Sequence, residues 1–251
     1  MELLHAAAIL LAGVAAGTIN AVVGSGSLVT FPTLLAFGYP PVTANVSNTI
    51  GLVPGNVSSV WGYRRELEGQ RSRVVRLGAA SLVGATVGAV LLLVLPESAF
   101  AAIVPALIAL GVVLVAFGPR ISAWVSRRHA EVPPHGHWWV WPAVLLTGVY
   151  GGYFGAAQGV ILLAVLGIGV ADGLQRLNAV KNVLGGLANF ASGALFIVVA
   201  DVDWWVVLLI AIGSTIGGQL GSSVGRRLPP QVFRAVIVVV GLVALAAFFV
   251  G

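Results

Sequence analysis

Residues 3–37 read LLHAAAILLAGVAAGTINAVVGSGSLVTFPTLLAF, and this stretch decides the architecture. Apart from His5 it carries no ionisable side chain. As one α-helix rising 1.5 Å per residue it would be about 50 Å long, well beyond the ~30 Å hydrocarbon core of a bilayer. Gly24-Ser25-Gly26 falls where such a helix has to be interrupted. The economical reading is a pair of short or broken helices that fold back into the membrane. The segment has no basic residues ahead of its apolar run and continues directly into further apolar sequence, so it reads as a retained helix and not a cleaved signal peptide.

The rest of the chain belongs to the same solvent. Of its 251 residues 59% are hydrophobic and only 8% charged, with a mean hydropathy of +1.03, whereas a soluble domain is roughly 25% charged. Apolar runs near the length of a membrane span recur from end to end, which excludes a soluble fold of this size. Runs such as Ala89 to Leu95 and Ala235 to Val250 show none of the strict alternation of a membrane β-barrel strand. The fold class is therefore an all-α integral membrane bundle, with the lipid bilayer as a partner. The net charge of +5 does not indicate nucleic acid, because the arginines are confined to short clusters between apolar spans. No cysteine is present, which removes disulfides, thiolate metal sites and thiol nucleophiles.

The chain matches itself. An offset of 135 residues pairs Gly13-Val14 with Gly148-Val149, Gly17 with Gly152, Ala21 with Ala156, Gly24 with Gly159 and Leu28 with Leu163. An offset of 133 then pairs Asn45 with Asn178, Asn56 with Asn189, Ser81 with Ser214, Gly84 with Gly217, Gly88 with Gly221, Leu95-Pro96 with Leu228-Pro229 and Phe100 with Phe233. Two repeats of about five helical elements each are expected, residues 1–118 and 138–251, joined by a linker at 119–137. Each opens with a broken or re-entrant helix: Gly24-Ser25-Gly26 interrupts the first copy, and Tyr150-Gly151-Gly152 with Gly155 and Gly159 the second.

Arginine placement orients the repeats, since cytoplasmic loops near helix ends are enriched in Arg and Lys. The loop bearing Arg64, Arg65, Arg71, Arg73 and Arg76 is expected in the cytoplasm. Spans at about Val74 to Leu95 and Ala99 to Phe117 return the chain to the same side, where the linker carries Arg120, Arg127 and Arg128. Arg176 precedes the span from Lys181 to Ala200, so that span leaves the cytoplasm, while its counterpart from Asn45 to Gly62 arrives there. The two repeats are thus expected to be inverted in topology, in a multi-pass protein of a bacterial inner membrane with a cytoplasmic linker. Eight full crossings with two re-entrant excursions would read the same as ten short elements. His129, His135 and His137 in the linker lack acidic or cysteine partners at a metal-site spacing and read as solvated residues.

Inverted repeats with glycine-interrupted segments at matching places point to a secondary transporter, whose substrate sits near the midplane where broken helices meet. Irregular backbone at that depth has to be buried in protein or line a wet cavity. The polar residues gather there: Asn20, Ser25, Gly26 and Ser27 at the first break, Gln158 at the second, then Asn45, Asn48, Thr49 and Asn56 against Asn178, Lys181, Asn182 and Asn189. These thirteen are the candidate substrate-binding residues; singly, the asparagines equally suit helix–helix hydrogen bonding. All eight acidic residues fall in loops or at span ends, so no buried carboxylate is available to neutralise a cation. Lys181 lies inside a span with no acidic neighbour, and an uncompensated ammonium in hydrocarbon is costly. Either an anionic substrate supplies the countercharge, or the side chain snorkels to the cytoplasmic headgroups. Broken-helix N-termini would add N–H donors for an anion. No nucleophile with a base is evident, so an enzyme is not expected and no cofactor is called for, although H⁺ or Na⁺ coupling is compatible with the pattern. An anion channel, or a permease for a different small carboxylate or inorganic anion, is the alternative to a carrier. Gly84-x-x-x-Gly88 and Gly217-x-x-x-Gly221 let helices approach closely, within the bundle or in a homodimer.

The run from Gly17 to Leu28 through Phe31-Pro32, Gly38-Tyr39-Pro40-Pro41 and Ala44-Asn45-Val46-Ser47-Asn48-Thr49 resembles the first signature of the TauE/SafE sulfite exporter family. Gly148 to Gly159 with Arg176 to Asn189 resembles the second, and the likeness covers nearly the whole chain. The family often has glycine where this chain has Ser25 and Ser27. The resemblance implies a secondary carrier for sulfite, sulfonates or related small oxyanions, acting as an exporter.

Overall fold

The structure is a computed structural model that describes residues 3–126, 136–224, 227 and 230–250. Among these residues the chain is all-helical: α1 (Leu3–Val22), α2 (Ser27–Ala36), α3 (Pro41–Gly62), α4 (Arg71–Val94), α5 (Glu97–Ser126), α6 (Val140–Tyr153), α7 (Gln158–Gly169), α8 (Leu174–Val199), α9 (Trp204–Ser223) and α10 (Pro230–Val250). Five of them, α1, α4, α5, α8 and α9, have described stretches long and apolar enough to cross a membrane, and with the family evidence given below this is a multi-pass membrane protein. Helix α5 runs on to Ser126, into the segment read as linker, and residues 127–135, with His129 and His135, lie outside the described residues. Helix α8 begins at Leu174, so Lys181 sits deeper in it than the sequence reading placed it.

The interruption of the leading segment occurs where expected and is built the same way twice. At the end of α1 the amides of Val23 and Gly24 both donate to Ile19 O, at 2.7 and 2.9 Å; at the end of α6 those of Phe154 and Gly155 both donate to Tyr150 O at 3.0 Å. Gly24 and Gly155 have φ of +90° and +73°, the left-handed conformation that closes a helix and that glycine adopts without strain. Sequence matching had paired Gly24 with Gly159. The cap glycines instead correspond as Gly24 and Gly155, because α6 is short, and Gly159 falls in the first turn of α7.

Each broken pair is a hairpin. The His5 ring at the start of α1 stacks on Phe37, just past α2, at 4.3 Å. In the second pair the His137 amide, just before α6, donates to Gly169 O at the end of α7, at 2.9 Å. Helices of 10, 14 and 12 residues (α2, α6 and α7) are about 15, 21 and 18 Å long, short of a full crossing.

The two hairpin bases lie at opposite ends of the bundle. At one end, Asp172 in the α7–α8 connection pairs with Arg73 at the start of α4 (2.6 Å) and with Arg176 (2.8 Å). Gln70 also donates to Arg176 O there, at 3.2 Å. At the other end the Asp203 amide donates to Ser47 Oγ at 3.0 Å, joining the α8–α9 connection to α3. Asp203 also caps α9, accepting from the amides of Trp205 and Val206. The first end carries the arginines of the α3–α4 connection and of the first turns of α4 and α8; the second carries Glu97, Asp201 and Asp203 and, among the described residues, no arginine or lysine.

Packing follows the small residues. Helix α9 lies along α1 and α3, and α4 lies along α6 and α8. A Cβ on Gly84 or Gly88 would stand 2.1 Å from Leu145 O or Val149 O; one on Gly217 would stand 2.0 Å from Val14 O. The two glycine motifs therefore serve contacts inside the bundle, α4 on α6 and α9 on α1. Ser81 of α4 donates to Leu184 O of α8 and Ser214 of α9 to Gly51 O of α3, at 2.8 and 2.9 Å. Two apolar clusters result. The larger joins α1, α2, α3 and α5, and the smaller joins the arginine-end halves of α4, α6, α7 and α8 around Leu77, Val144, Leu166 and Leu184. Helices α3 and α8 also pack against each other.

Candidate functional site at the meeting of the helix breaks

The tips of the hairpins touch. Gly159 N–H donates to Gly24 O at 2.9 Å, and a Cβ on either glycine would lie within 2.5 Å of the other's Cα. Beside this contact is a small cavity of about 30 Å³ lined by Asn20, Gly24 and Ser27 from the first hairpin, Gly155, Gln158 and Gly159 from the second, Asn56 of α3, and Lys181, Asn182, Gly185 and Asn189 of α8.

The break in α1 exposes carbonyls that have lost their intrahelical donors, and α8 supplies replacements. Lys181 Nζ donates to Asn20 O at 2.9 Å and lies 3.5 Å from Ala21 O; Asn178 Nδ2 and Asn182 Nδ2 donate to Ala21 O at 3.1 and 3.2 Å. Asn178 Nδ2 also reaches Tyr63 Oη at 2.9 Å. Lys181 is 2% exposed, so its side chain turns inward to the break and does not snorkel. The negative end of α1's dipole, equivalent to roughly half a charge, offsets only part of an ammonium. Among the described residues no carboxylate lines the cavity. Two further donors face the site: Asn56 Nδ2 and Gln158 Nε2 are buried without partners, on residues 8% and 4% exposed. Buried donors without partners carry a desolvation cost of about 1–3 kcal/mol each, which a small anion in the cavity would relieve.

Of the thirteen candidate residues, Asn20, Ser27, Asn56, Gln158, Lys181, Asn182 and Asn189 line the cavity. The other six support it or lie elsewhere. Gly26 N–H donates to Asn20 Oδ1 at 2.7 Å and fixes the break. Ser25 is buried with its hydroxyl unpartnered. Asn45 Nδ2 donates to Tyr153 O at 3.0 Å, and Asn48 joins Ser27 Oγ at 3.1 Å and Thr30 Oγ1 at 2.5 Å. Thr49 returns its hydroxyl to Asn45 O in its own helix, and Asn178 holds Ala21 O and Tyr63. Near Asn45, the rings of Phe31, Phe100, Tyr153 and Phe154 pack edge to face at 5.0–6.5 Å and fill the space toward the arginine-free end. Sequence reasoning did not assign the lining glycines Gly24, Gly155, Gly159 and Gly185, nor the Ala21 carbonyl. A backbone acceptor has no residue-type signal; the glycines of the breaks did carry one.

At the arginine end the Arg73–Asp172–Arg176 group is reinforced by Gln70, which donates to Glu66 O at 2.8 Å and accepts from Arg73, and by Arg176 donating to Glu68 O at 3.2 Å. Burial pushes the Asp172 carboxyl up, but the Arg73 hydrogen bond, the Gly173 amide and the two guanidinium charges outweigh it and hold it below the usual carboxylate range.

Comparison with known proteins agrees with this architecture. The chain is 26% identical over 229 residues to a probable membrane transporter protein ORF9 of Sinorhizobium sp, covering 90% of this chain and 85% of the relative. It is 25% identical over 232 residues to the probable membrane transporter protein YfcA of Escherichia coli K12, covering 92% and 84%. A probable membrane transporter protein of Haemophilus influenzae is 25% identical over 238 residues, covering 93% and 90%. No solved structure matches. The family model described as sulfite exporter TauE/SafE matches residues 9–248, nearly the whole bundle including both breaks, and the chain belongs to this family of membrane transporters.

Proposed function

We propose that this protein is a secondary carrier that exports a small sulfur oxyanion, sulfite or an organosulfonate, across a bacterial inner membrane by alternating access. One observation carries the reading: Lys181, buried among unpartnered amide donors where two helix breaks meet, with no carboxylate at the cavity. An anion completes that set; a cation would face the ammonium.

The packing supports an inverted repeat as the moving scaffold. Exchanging each helix for its counterpart in the other half turns the α1–α9 contact into α6–α4, and α3–α9 into α8–α4, and leaves α3–α8 and α5–α10 in place. Hairpins with bases at opposite ends are what inversion requires. With the arginine end in the cytoplasm, the group formed by α1, α2, α3 and α9 and the group formed by α4, α6, α7 and α8 would rock about the α3–α8 crossing and the Gly24–Gly159 contact. H⁺ or Na⁺ coupling is left to experiment.

The test is counterflow of labelled sulfite in proteoliposomes, with Lys181→Ala and Asn56→Ala beside the native protein, under imposed pH and Na⁺ gradients. Saturable exchange that either substitution impairs is expected, and the gradient that drives it names the coupling ion. A folded native sample that exchanges no small anion would sink the carrier reading.

A further inference from the structure

The charge inventory of the cavity carries a statement about its ligand beyond the sign. Among the described residues that line it, Lys181 is the only ionisable one. Every element packed around Lys181 has its charged groups elsewhere. Helix α1 carries only His5, stacked on Phe37 at the arginine-free end. Helix α3 has none, and the Tyr63 hydroxyl that follows it is engaged by Asn178. In α7 there are none at all, and on α8 itself Arg176 is paired with Asp172. The arginines of α4 sit in its first turns, where Arg73 is also paired with Asp172. Tyr150 and Tyr153 of α6 are neutral phenols. The remaining lining groups are amides, one hydroxyl and glycine backbone.

We infer that the site selects singly charged oxyanions over doubly charged ones: hydrogen sulfite or a simple sulfonate fits it, and a dianion such as sulfate does not. The inference rests on the anion-carrier reading and narrows its substrate class. One ammonium and one monoanion leave the buried site neutral. A dianion leaves a whole negative charge with no second cation to meet it, beside the negative end of α1's dipole. The effective cost of an unpaired buried ion is several kcal/mol. Amide donors offset part of this, and they do so for both ions, so they do not remove the difference.

The experiment compares ions of one shape and two charges. Sulfate and perchlorate are both tetrahedral with four equivalent oxygens, and methanesulfonate replaces one oxygen with a methyl group. Binding is read on the purified full chain as ligand-induced thermal stabilisation at matched ionic strength, and transport as exchange in proteoliposomes. Methanesulfonate and perchlorate are expected to bind at least roughly tenfold more tightly than sulfate, and Lys181→Arg is expected to keep that order while Lys181→Gln loses monoanion binding. Sulfate binding as tightly as either monoanion to the native protein, or no binding by any of the three, overturns the inference. Monoanion-selective binding without exchange leaves the charge rule standing and removes the carrier reading, so the two fail separately.

Discussion

Replacing Gly159 with alanine tests whether the tip-to-tip contact is as tight as the structure has it. The new methyl would stand 2.4 Å from Gly24 Cα and 2.7 Å from Gly24 O. These are backbone atoms and cannot rotate away, so the tips have to separate by about 1 Å to reach ordinary contact distances near 3.5 Å. Overpacking of this kind costs about 1–3 kcal/mol. The separation also stretches the 2.9 Å bond from Gly159 N–H to Gly24 O, which contributes about 0.5–1.5 kcal/mol. Alanine's better helix propensity returns up to about 1 kcal/mol, leaving a net loss of roughly 0.5–4.5 kcal/mol. At about 2–4 °C per kcal/mol for a chain of this size, Tm should fall by about 1–18 °C. Gly185→Ala is the control: it lies mid-helix on the same cavity, but a Cβ there meets nothing within 4 Å, so propensity alone acts and Tm should hold or rise by a few degrees. Tryptophan-fluorescence melts of the detergent-purified protein and both variants read this directly. If Gly159→Ala melts within a degree of native, the hairpin tips are not in contact and the site has been drawn in the wrong place.

Two further outcomes follow from the charged groups. Lys181→Met keeps the length of the side chain and removes its charge; at an effective dielectric of 20 a unit pair about 4 Å apart is worth about 4 kcal/mol, so anion binding should weaken by two to three orders of magnitude while Tm changes little, since the lost carbonyl contacts are offset by no longer burying an ammonium. Isothermal binding that stays within threefold of native would contradict the role given to Lys181. Asp172 has a depressed carboxyl in the fold, so its contribution to stability is complete above the unfolded value near 4 and is lost as pH falls through the lower folded value. Asp172→Asn should therefore melt below native at neutral pH, with the gap closing only on strong acidification; a gap that is constant with pH would show that the ion pairs with Arg73 and Arg176 are not its source.

The hairpins were legible in the sequence because two physical limits met in one stretch: residues 3–37 are too long for one span, and Gly24 offers the backbone a left-handed exit. Charge placement was legible for the same reason it exists, since carboxylates were kept to loops and span ends by the cost of burying them. The register at the second break was not. Glycines are abundant there, and Gly159 matches Gly24 in sequence although Gly155 does the corresponding work, because which glycine takes the positive φ depends on where α6 stops packing against α4. The destination of Lys181 was also hidden. Its capping partners are the carbonyls of Asn20 and Ala21, which any residue type would provide, and only the fold brings the end of α1 against α8.

The proposed repeat would leave the proposed site one-sided. In the 133-residue register Asn48 stands where Lys181 stands in the other half, and Thr49 where Asn182 does. Asn48 is satisfied by Ser27 and Thr30, Asn45 Nδ2 donates to the Tyr153 carbonyl while its Oδ1 is left without a partner, and four aromatic rings occupy the adjoining volume. On the Lys181 side Asn56 Nδ2, Gln158 Nε2 and Asn178 Oδ1 are left without partners, and Lys181 adds a charge. Each half contributes a broken helix pair whose end is met by an asparagine of the other half, Asn178 on Ala21 O and Asn45 on Tyr153 O, and the lysine at 181 puts the charge on one side. Introducing a lysine at Asn48 would place a second ammonium near the first with no carboxylate to separate them, so Asn48→Lys should destabilise the empty protein and shift its preference toward dianions, the reverse of the native order.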